Sequence, residues 1–143
     1  MTVAEILRNK DPQIWTVPPR ASLQTVIDML ATKHIGAVVI ADRWGAMLGI
    51  VSERDVVRAL SRRSGDGLDD IVYDHMTDEV FTACETDSVI DVAKRMSEGR
   101  FRHMPVLKNG LLVGIVSQGD IVKYRLEQME TEQKAMKEFI AAG

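Results

Sequence analysis

Two short segments of the chain carry the residue types with the clearest chemistry. In each, a serine is followed three residues later by an aspartate, Ser52 by Asp55 and Ser117 by Asp120. This spacing is typical of a capping box, in which the serine and the acid satisfy the free N–H groups of a helix's first turn. It also suits a ligand, because a helix N terminus attracts phosphate and a carboxylate can accept hydrogen bonds from sugar hydroxyls. The spacing alone leaves both interpretations open.

The two segments lie inside a longer internal repeat. Gly49–Val57 recurs 65 residues later as Gly114–Val122, and upstream Ala21–Leu23 recurs 66 residues later as Asp87–Val89. Glycine, serine and aspartate therefore recur together. A glycine one turn before each helix lets a ligand approach the backbone. The joint recurrence favours ligand binding over capping alone.

The elements that must position these residues also occur twice. One apolar stripe at helical spacing precedes each segment; the stripes are Leu23, Val26, Ile27, Leu30 and Val89, Val92, Ala93, Met96. Two short apolar runs follow each stripe, and Asn109–Gly110 between the second pair predicts a hairpin turn. We expect an α/β (α+β) fold of two pseudo-symmetric β-α-β-β-α repeats plus a C-terminal helix. A separate unit of about 65 residues buries too small a fraction of its surface to be more than marginally stable. We therefore expect the two halves to share one core.

We place the first repeat at residues 1–62, a linker at 63–72, the second repeat at 73–124 and a C-terminal helical extension at 125–143. The extension continues a seam that advances by four and three residues: Val122, Leu126, Met129, Gln133, Met136 and Ile140. Such a helix either folds back on its own module or pairs with another subunit. We favour pairing, and hence a homodimer.

Composition excludes several classes of protein. The 143 residues have a formal net charge of −3, without the basic character of a nucleic-acid binder. No apolar run reaches the length of a membrane-spanning helix, and the N terminus does not resemble a signal peptide. A single cysteine, Cys84, rules out an internal disulfide and fits a reducing compartment. We expect a cytoplasmic protein with neither a nucleic-acid nor a membrane partner.

Catalytic patterns are missing from the sequence. His34, His75 and His103 lack metal-ligand spacing, and no G-x-S-x-G or G-x-G-x-x-G pattern occurs. We predict neither an enzyme, nor a metal site, nor a catalytic cofactor. Two alternatives stay open: a small hydrolase or transferase acting on nucleotides, with His103 as its base, and a structural dimer without a ligand.

The motif Gly-h-h-Ser-x-x-Asp, in which h is apolar, occurs twice after a strand-helix-strand-strand pattern. The chain thereby resembles the cystathionine-β-synthase (CBS) domain pair from about Val3 to Tyr124. The resemblance implies a regulatory module that binds AMP, ADP or ATP, with NAD(H) as a further ligand, in clefts between the repeats. Its output would pass through an unidentified regulated protein.

The resemblance also implies a set of binding residues. Ribose and phosphate contacts are expected at Ser52, Asp55, Ser117 and Asp120, and nucleoside contacts on the first strand of each half at Thr16 and Thr82. The strand openings that would bind the adenine base are expected at Gly36, Ala37 and Val38 and at His103, Met104 and Pro105. The remaining expected contacts are Glu53, Arg54, Arg100 and Arg102.

The two halves differ at the expected adenine edges. A gap-free alignment sets Arg102 and His103 against Gly36 and Ala37. Because an arginine guanidinium binds phosphate well, we expect the second site to pair Asp120 with Arg100 or Arg102 and to bind a mononucleotide more tightly than a roomier first site. Matching aromatic residues are expected on the first strands of the two halves; for these, Trp15 and Phe81, we favour core packing over base stacking.

Overall fold

The computed structural model describes residues 1–62 and 67–143. Its first half comprises α1 (Val3–Arg8), β1 (Thr16–Val17), α2 (Leu23–Lys33), β2 (Ala37–Ala41), β3 (Met47–Ser52) and α3 (Glu53–Arg62). Two 3-10 turns (Gly67–Asp69, Val72–Asp74) lead to β4 (Ala83–Cys84), α4 (Val89–Gly99), β5 (His103–Lys108), β6 (Leu111–Ser117) and α5 (Gln118–Ala142). The predicted linker at 63–72 lies partly outside the described residues.

The described strands form two three-stranded sheets of the same topology. In each sheet the first strand runs parallel to the second, and the second pairs antiparallel with the third. Ala37 pairs with Ser52 in one sheet and His103 with Ser117 in the other. The predicted β-α-β-β-α repeat is therefore confirmed. The predicted hairpin is also present, with Asn109 and Gly110 at φ values of 53° and 79°.

Helices α2 and α4 begin and end in matching ways. Each starts at a serine N-cap: Ser22 Oγ accepts from Thr25 N at 3.2 Å, and Ser88 Oγ accepts from Asp91 N at 3.0 Å. Each ends at a non-glycine residue in the left-handed region, His34 at φ 54° and Arg100 at φ 57°. These caps turn the chain from the helix into β2 and β5.

Each half has its own apolar core, so the prediction of one shared core is wrong. Leu23, Val26 and Val51 belong to the first cluster, and Met96 and Met104 to the second. All five side chains are fully or almost fully buried. Two short segments are exchanged between the halves and supply the missing apolar surface.

Helix α1 is one of these exchanged segments. Its Val3 and Ile6 lie in the second core, and Val3 N donates to Asp87 O at 2.9 Å. In the opposite direction, Val72 at the end of the linker is buried in the first core, and Met76 of the second repeat packs against that core. The sequence repeats predicted for 1–62 and 73–124 thus do not coincide with the packing units at their ends.

The last helix of the second repeat and the C-terminal extension form one continuous helix, α5. Ile121 is buried in the second core, and Tyr124 Oη donates to Glu5 Oε2 on α1 at 2.6 Å. From Met129 onward every residue is exposed, so α5 does not fold back on its own module. Within the two described ranges, none of the helices combines the length and the apolar character needed to cross a bilayer.

Candidate functional site

The two Ser-x-x-Asp segments lie where a strand ends and a helix begins. Asp55 Oδ2 accepts from Ser52 N at 2.9 Å, and Asp55 N donates to Ser52 Oγ at 3.3 Å. The matching distances for Ser117 and Asp120 are 2.9 Å and 3.0 Å. Both aspartates therefore act as capping-box acids. Each also faces a cavity, so capping does not account for all of their surroundings.

The strand openings are tied to the same helix starts. Glu53 N donates to Gly36 O at 3.0 Å, and Gln118 N donates to Arg102 O at 2.8 Å. Between the two openings, the His103 imidazole lies against Gly36; a Cβ atom on Gly36 would stand 2.8 Å from His103 Nε2. A side chain at position 36 would therefore displace the imidazole.

One cavity, the Asp55 cleft, has a volume of about 570 Å³. Its lining combines the Ser52–Asp55 segment of the first half with residues 99–103 of the second. Arginines contributed by both halves face it: Arg54, Arg58, Arg100 and Arg102. Acidic groups are fewer, namely Glu53, Asp55 and Glu79. The cleft therefore has a small excess of positive charge, which suits an anionic ligand.

Two phenylalanines form an aromatic platform in the Asp55 cleft. The rings of Phe81 and Phe101 stack with centroids 5.1 Å apart and an interplanar angle of 3°. Gly99 makes room for this pair, because a Cβ atom there would stand 2.3 Å from the Phe101 ring. Phe81 is 60% exposed, so its predicted role in core packing is wrong.

A second cavity, the Asp120 cleft, measures about 380 Å³ and is built in the opposite way, from the motif of the second half and the helix end of the first. It joins Ser117 and Asp120 of the second half to residues 10–15 and 33–37 of the first. Lys10 Nζ bonds both Asp120 Oδ2 and Ile115 O, each at 2.6 Å. Lys33 Nζ lies 4.3 Å from the centre of the Trp15 ring. Cations from the chain itself therefore contact both the aspartate and the aromatic face.

These pairings correct the predicted assignment of the arginines. Arg100 and Arg102 were predicted to accompany Asp120, but they line the cleft that contains Asp55. The reason is that each cleft joins the motif of one half to the helix end of the other. The Asp55 cleft is the larger of the two, although it contains Arg102 and His103, whose absence was the reason for expecting a roomier first site.

His103, the first residue of β5, lines both clefts, as do Gly36 and Ser117. Burial lowers the pKa of its imidazole below the usual value, and the charge of Lys10 lowers it further. The carboxylates of Glu53 and Asp120 act in the opposite direction on this pKa. The neutral imidazole is thus favoured at the junction of the clefts.

Not every predicted site residue reaches a cavity. Eleven of the sixteen line one or both clefts: Gly36, Ala37, Ser52, Glu53, Arg54, Asp55, Arg100, Arg102, His103, Ser117 and Asp120. Five line neither cleft: Thr16, Val38, Thr82, Met104 and Pro105. Val38, Met104 and Pro105 are buried, and Thr82 O accepts from Arg95 Nη1 at 3.0 Å.

Sequence reasoning missed the segments that precede the first strands. Lys10 lines the Asp120 cleft, and Thr77 lines the Asp55 cleft. Thr77 exchanges two backbone hydrogen bonds with Ile50, at 2.9 Å and 3.0 Å. Extending the 66-residue repeat upstream from Trp15 and Phe81 would have identified both segments.

A family model described as the CBS domain matches the chain twice, at residues 3–62 and 69–127. Among solved structures, a CBS-domain containing protein, ATU1752 from Agrobacterium tumefaciens, is 38% identical with a TM-score of 0.85; the match covers 87% of this chain and 99% of that one. The chain spans 40%, 69% and 39% of the lengths of three curated relatives that are 29–32% identical to it.

Two further solved structures contain ligands. The CBS domain protein PAE2072 from Pyrobaculum aerophilum, complexed with AMP, is 32% identical with a TM-score of 0.75, over 84% of this chain and 89% of that one. The CBS domain pair of protein MJ0100, in complex with 5′-methylthioadenosine and S-adenosyl-L-methionine, is 26% identical with a TM-score of 0.79, over 90% and 98%.

Proposed function

The chain belongs to the CBS domain family, and from this premise we propose that it is a regulatory module that binds an adenine nucleotide in its Asp55 cleft. AMP, ADP and ATP are the proposed ligands, with NAD(H) as the alternative. The observation that carries the proposal is the joining, in one cavity, of a helix-start aspartate, an aromatic platform and four arginines. Family relatives solved with adenosine compounds support it.

Each part of the cleft has a proposed partner on the ligand. Asp55 keeps Oδ2 in its cap, and its other oxygen, 3.8 Å from Arg58 Nη1, accepts the ribose hydroxyls. The exposed ring of Phe81 offers a face to the base. Arg100 and Arg102 bind the phosphates, because a guanidinium forms charge-assisted hydrogen bonds to phosphate oxygens.

The volume of the cleft fits a ligand of this class. At about 570 Å³ it lies in the usual range for small-molecule sites, and so does the Asp120 cleft at about 380 Å³. The side chain of Asp55 is 15% exposed, which leaves it reachable while water has limited access. A hydrogen bond to a charged group in such surroundings contributes about 1.5–3 kcal/mol.

Calorimetry with AMP, ADP, ATP, adenosine and NAD⁺ tests this proposal. Melting curves with the same compounds give a second readout, since a ligand at ~100 times its dissociation constant stabilises the folded state by about 2.7 kcal/mol. We expect at least one adenine nucleotide to bind and raise the melting temperature. Absence of both signals for every compound at millimolar concentration would remove the ligand proposal.

We propose a regulatory role rather than catalysis, with the output passing to a regulated protein. The relevant check is incubation with ATP or NAD⁺ followed by chromatography of the nucleotides. Intact nucleotides are expected. Product formed at a rate that depends on His103 would favour the hydrolase or transferase alternative, since this imidazole faces both clefts.

A further inference from the structure

Helix α5 carries an apolar stripe, running from Val122 to Ile140, that nothing in the described part of the chain covers. Its side chains are 51% to 69% exposed: Val122, Leu126, Met129, Met136 and Ile140. Every residue from Met129 to Gly143 is exposed. An isolated helical segment as short as the one from Met129 onward is marginal in water, because helices in proteins gain most of their stability from packing of an apolar face. We therefore expect the apolar stripe to pack against another apolar surface.

The spacing of the stripe defines the type of partner. In heptad notation, the d positions are Val122, Met129 and Met136, and the a positions are Leu126, Gln133 and Ile140. Apart from Phe139 at a g position, the exposed large apolar residues of α5 occupy a and d positions, which is the narrow seam of a coiled coil. One polar residue at an a position is typical of a seam that specifies register. These features fit a second helix with the same repeat.

The charges beside the seam distinguish the two orientations of such a pair. In a parallel, in-register pair, a g residue faces the e residue five positions later in the partner helix. Arg125 would then face Glu130, and Glu132 would face Lys137, each pair occurring twice by symmetry. All four contacts join opposite charges.

The antiparallel pair gives the opposite result. Full overlap of the seam would bring Lys123 of one helix to Lys137 of the other, and would set Glu130 and Glu132 each against its own copy. Such contacts join like charges, which weakens association. Charge complementarity therefore selects one orientation.

We propose that α5 forms a parallel two-stranded coiled coil with α5 of a second copy of this chain. The occupant of the exposed stripe is thus the same stripe in the second copy. The pairing is independent of the ligand proposal, since the seam begins after the cleft residues of α5. Two modules would be joined side by side with their C termini together.

Disulfide trapping tests the orientation. In a Cys84→Ser background, Ile140→Cys should form an intersubunit disulfide on mild oxidation, because Ile140 meets its own copy only in the parallel pair. Glu138→Cys, on the outer face of the helix, is the matched control, and we expect several-fold less dimer from it. Equal trapping in the two variants would overturn the proposal. So would efficient trapping only when Val122→Cys and Ile140→Cys chains are mixed, which indicates the antiparallel pair.

Charge reversal and light scattering complete the test. Glu132→Lys should increase the dissociation constant of the dimer several-fold, and the double change Glu132→Lys with Lys137→Glu should restore it. Circular dichroism monitors whether each variant folds. A wild-type chain that is monomeric at the highest soluble concentration would overturn the proposal, and so would a double variant no tighter than the single one.

Discussion

Asp55 and Asp120 occupy matching positions at two helix starts, yet they face different charges. The residues opposite Asp55 include arginines on the cavity lining, whereas Lys10 contacts Asp120 at 2.6 Å. The neighbouring backbone differs as well, because Ile50 pairs with the backbone of Thr77 while Ile115 O accepts from the Lys10 ammonium. The duplicated backbone thus supports two different binding environments.

This comparison indicates which of the two clefts leaves its charged and aromatic groups available to an external ligand. In the Asp120 cleft, an internal cation already neutralises the aspartate, and Lys33 covers one face of the aromatic ring. In the Asp55 cleft, the cation paired with the aspartate is Arg58, which stands farther away at 3.8 Å, and among the described residues no cation lies over the stacked phenylalanines. We therefore expect the Asp55 cleft to bind adenine nucleotide more tightly, the reverse of the order predicted from sequence.

Substituting the two aspartates separately should give the largest difference. Asp55→Asn keeps a capping side chain but weakens the acceptor for ribose hydroxyls, so affinity should fall by about 10- to 150-fold, corresponding to roughly 1.5–3 kcal/mol. Asp120→Asn is the matched control and should change affinity little. Calorimetry gives both dissociation constants, and melting curves show whether the caps survive. Equal losses in the two variants would contradict the inequality of the clefts.

An arginine substitution should have a smaller effect that depends on the ligand. Arg102→Gln removes a charged donor from the Asp55 cleft, so binding of ATP should weaken about tenfold, the lower end for a hydrogen bond to a charged group. Adenosine has no phosphate and should bind equally to both proteins. The ratio of the two affinities is therefore the measurement. A uniform loss for ATP and adenosine would place Arg102 away from the phosphates.

Removing the internal cation should make the two clefts more alike. Lys10→Met frees Asp120 and Ile115 O, and we expect the number of bound nucleotides per chain to rise toward two. The lost ion pair should lower the free energy of unfolding by no more than about 1 kcal/mol, because both partners are partly exposed. Calorimetry measures the number of nucleotides bound per chain in the variant and in the wild type. An unchanged stoichiometry, with affinity at Asp55 intact, would show that Lys10 does not block the second cleft.

The sequence was sufficient to predict the order of strands and helices in each half, because the internal repeat shows which residues of the two halves correspond. Apolar stripes at Leu23 and Val89, the hairpin at Asn109, and the paired Ser-x-x-Asp segments all correspond to elements at the predicted places. These features depend on local periodicity and turn chemistry, which a single chain displays directly.

The partners within each cleft could not be predicted in the same way. Arg102 was assigned to Asp120 because both lie in the second half, but the two halves exchange partners across the cleft. The same holds for Lys10, whose contact with Asp120 spans 110 positions in the sequence. Helix α1 packs in the second core for a related reason. Long-range packing of this kind leaves no periodic trace in the sequence.

The smallest expected effect concerns His103, which lies between the two clefts. Burial lowers the pKa of its imidazole below the ordinary value of 6.5, so at mildly acidic pH the unfolded chain binds more protons than the folded one. The free energy of unfolding should therefore decrease as the pH falls through 6.5 toward the lower folded-state pKa, and this contribution should level off below it. Urea titrations from about pH 8 to about pH 5 measure the slope.

Two variants connect this slope to the comparison of the clefts. His103→Asn should reduce the slope, and Lys10→Met should reduce it in part, because the charge of Lys10 lowers the His103 pKa. Asp120→Asn should make the slope steeper, since the Asp120 carboxylate raises the same pKa. If the slope decreases in the Lys10 variant and increases in the Asp120 variant, the charges of the Asp120 cleft act on the pKa of the His103 imidazole. A slope unaffected by His103→Asn would assign the pH dependence to carboxylates elsewhere in the chain.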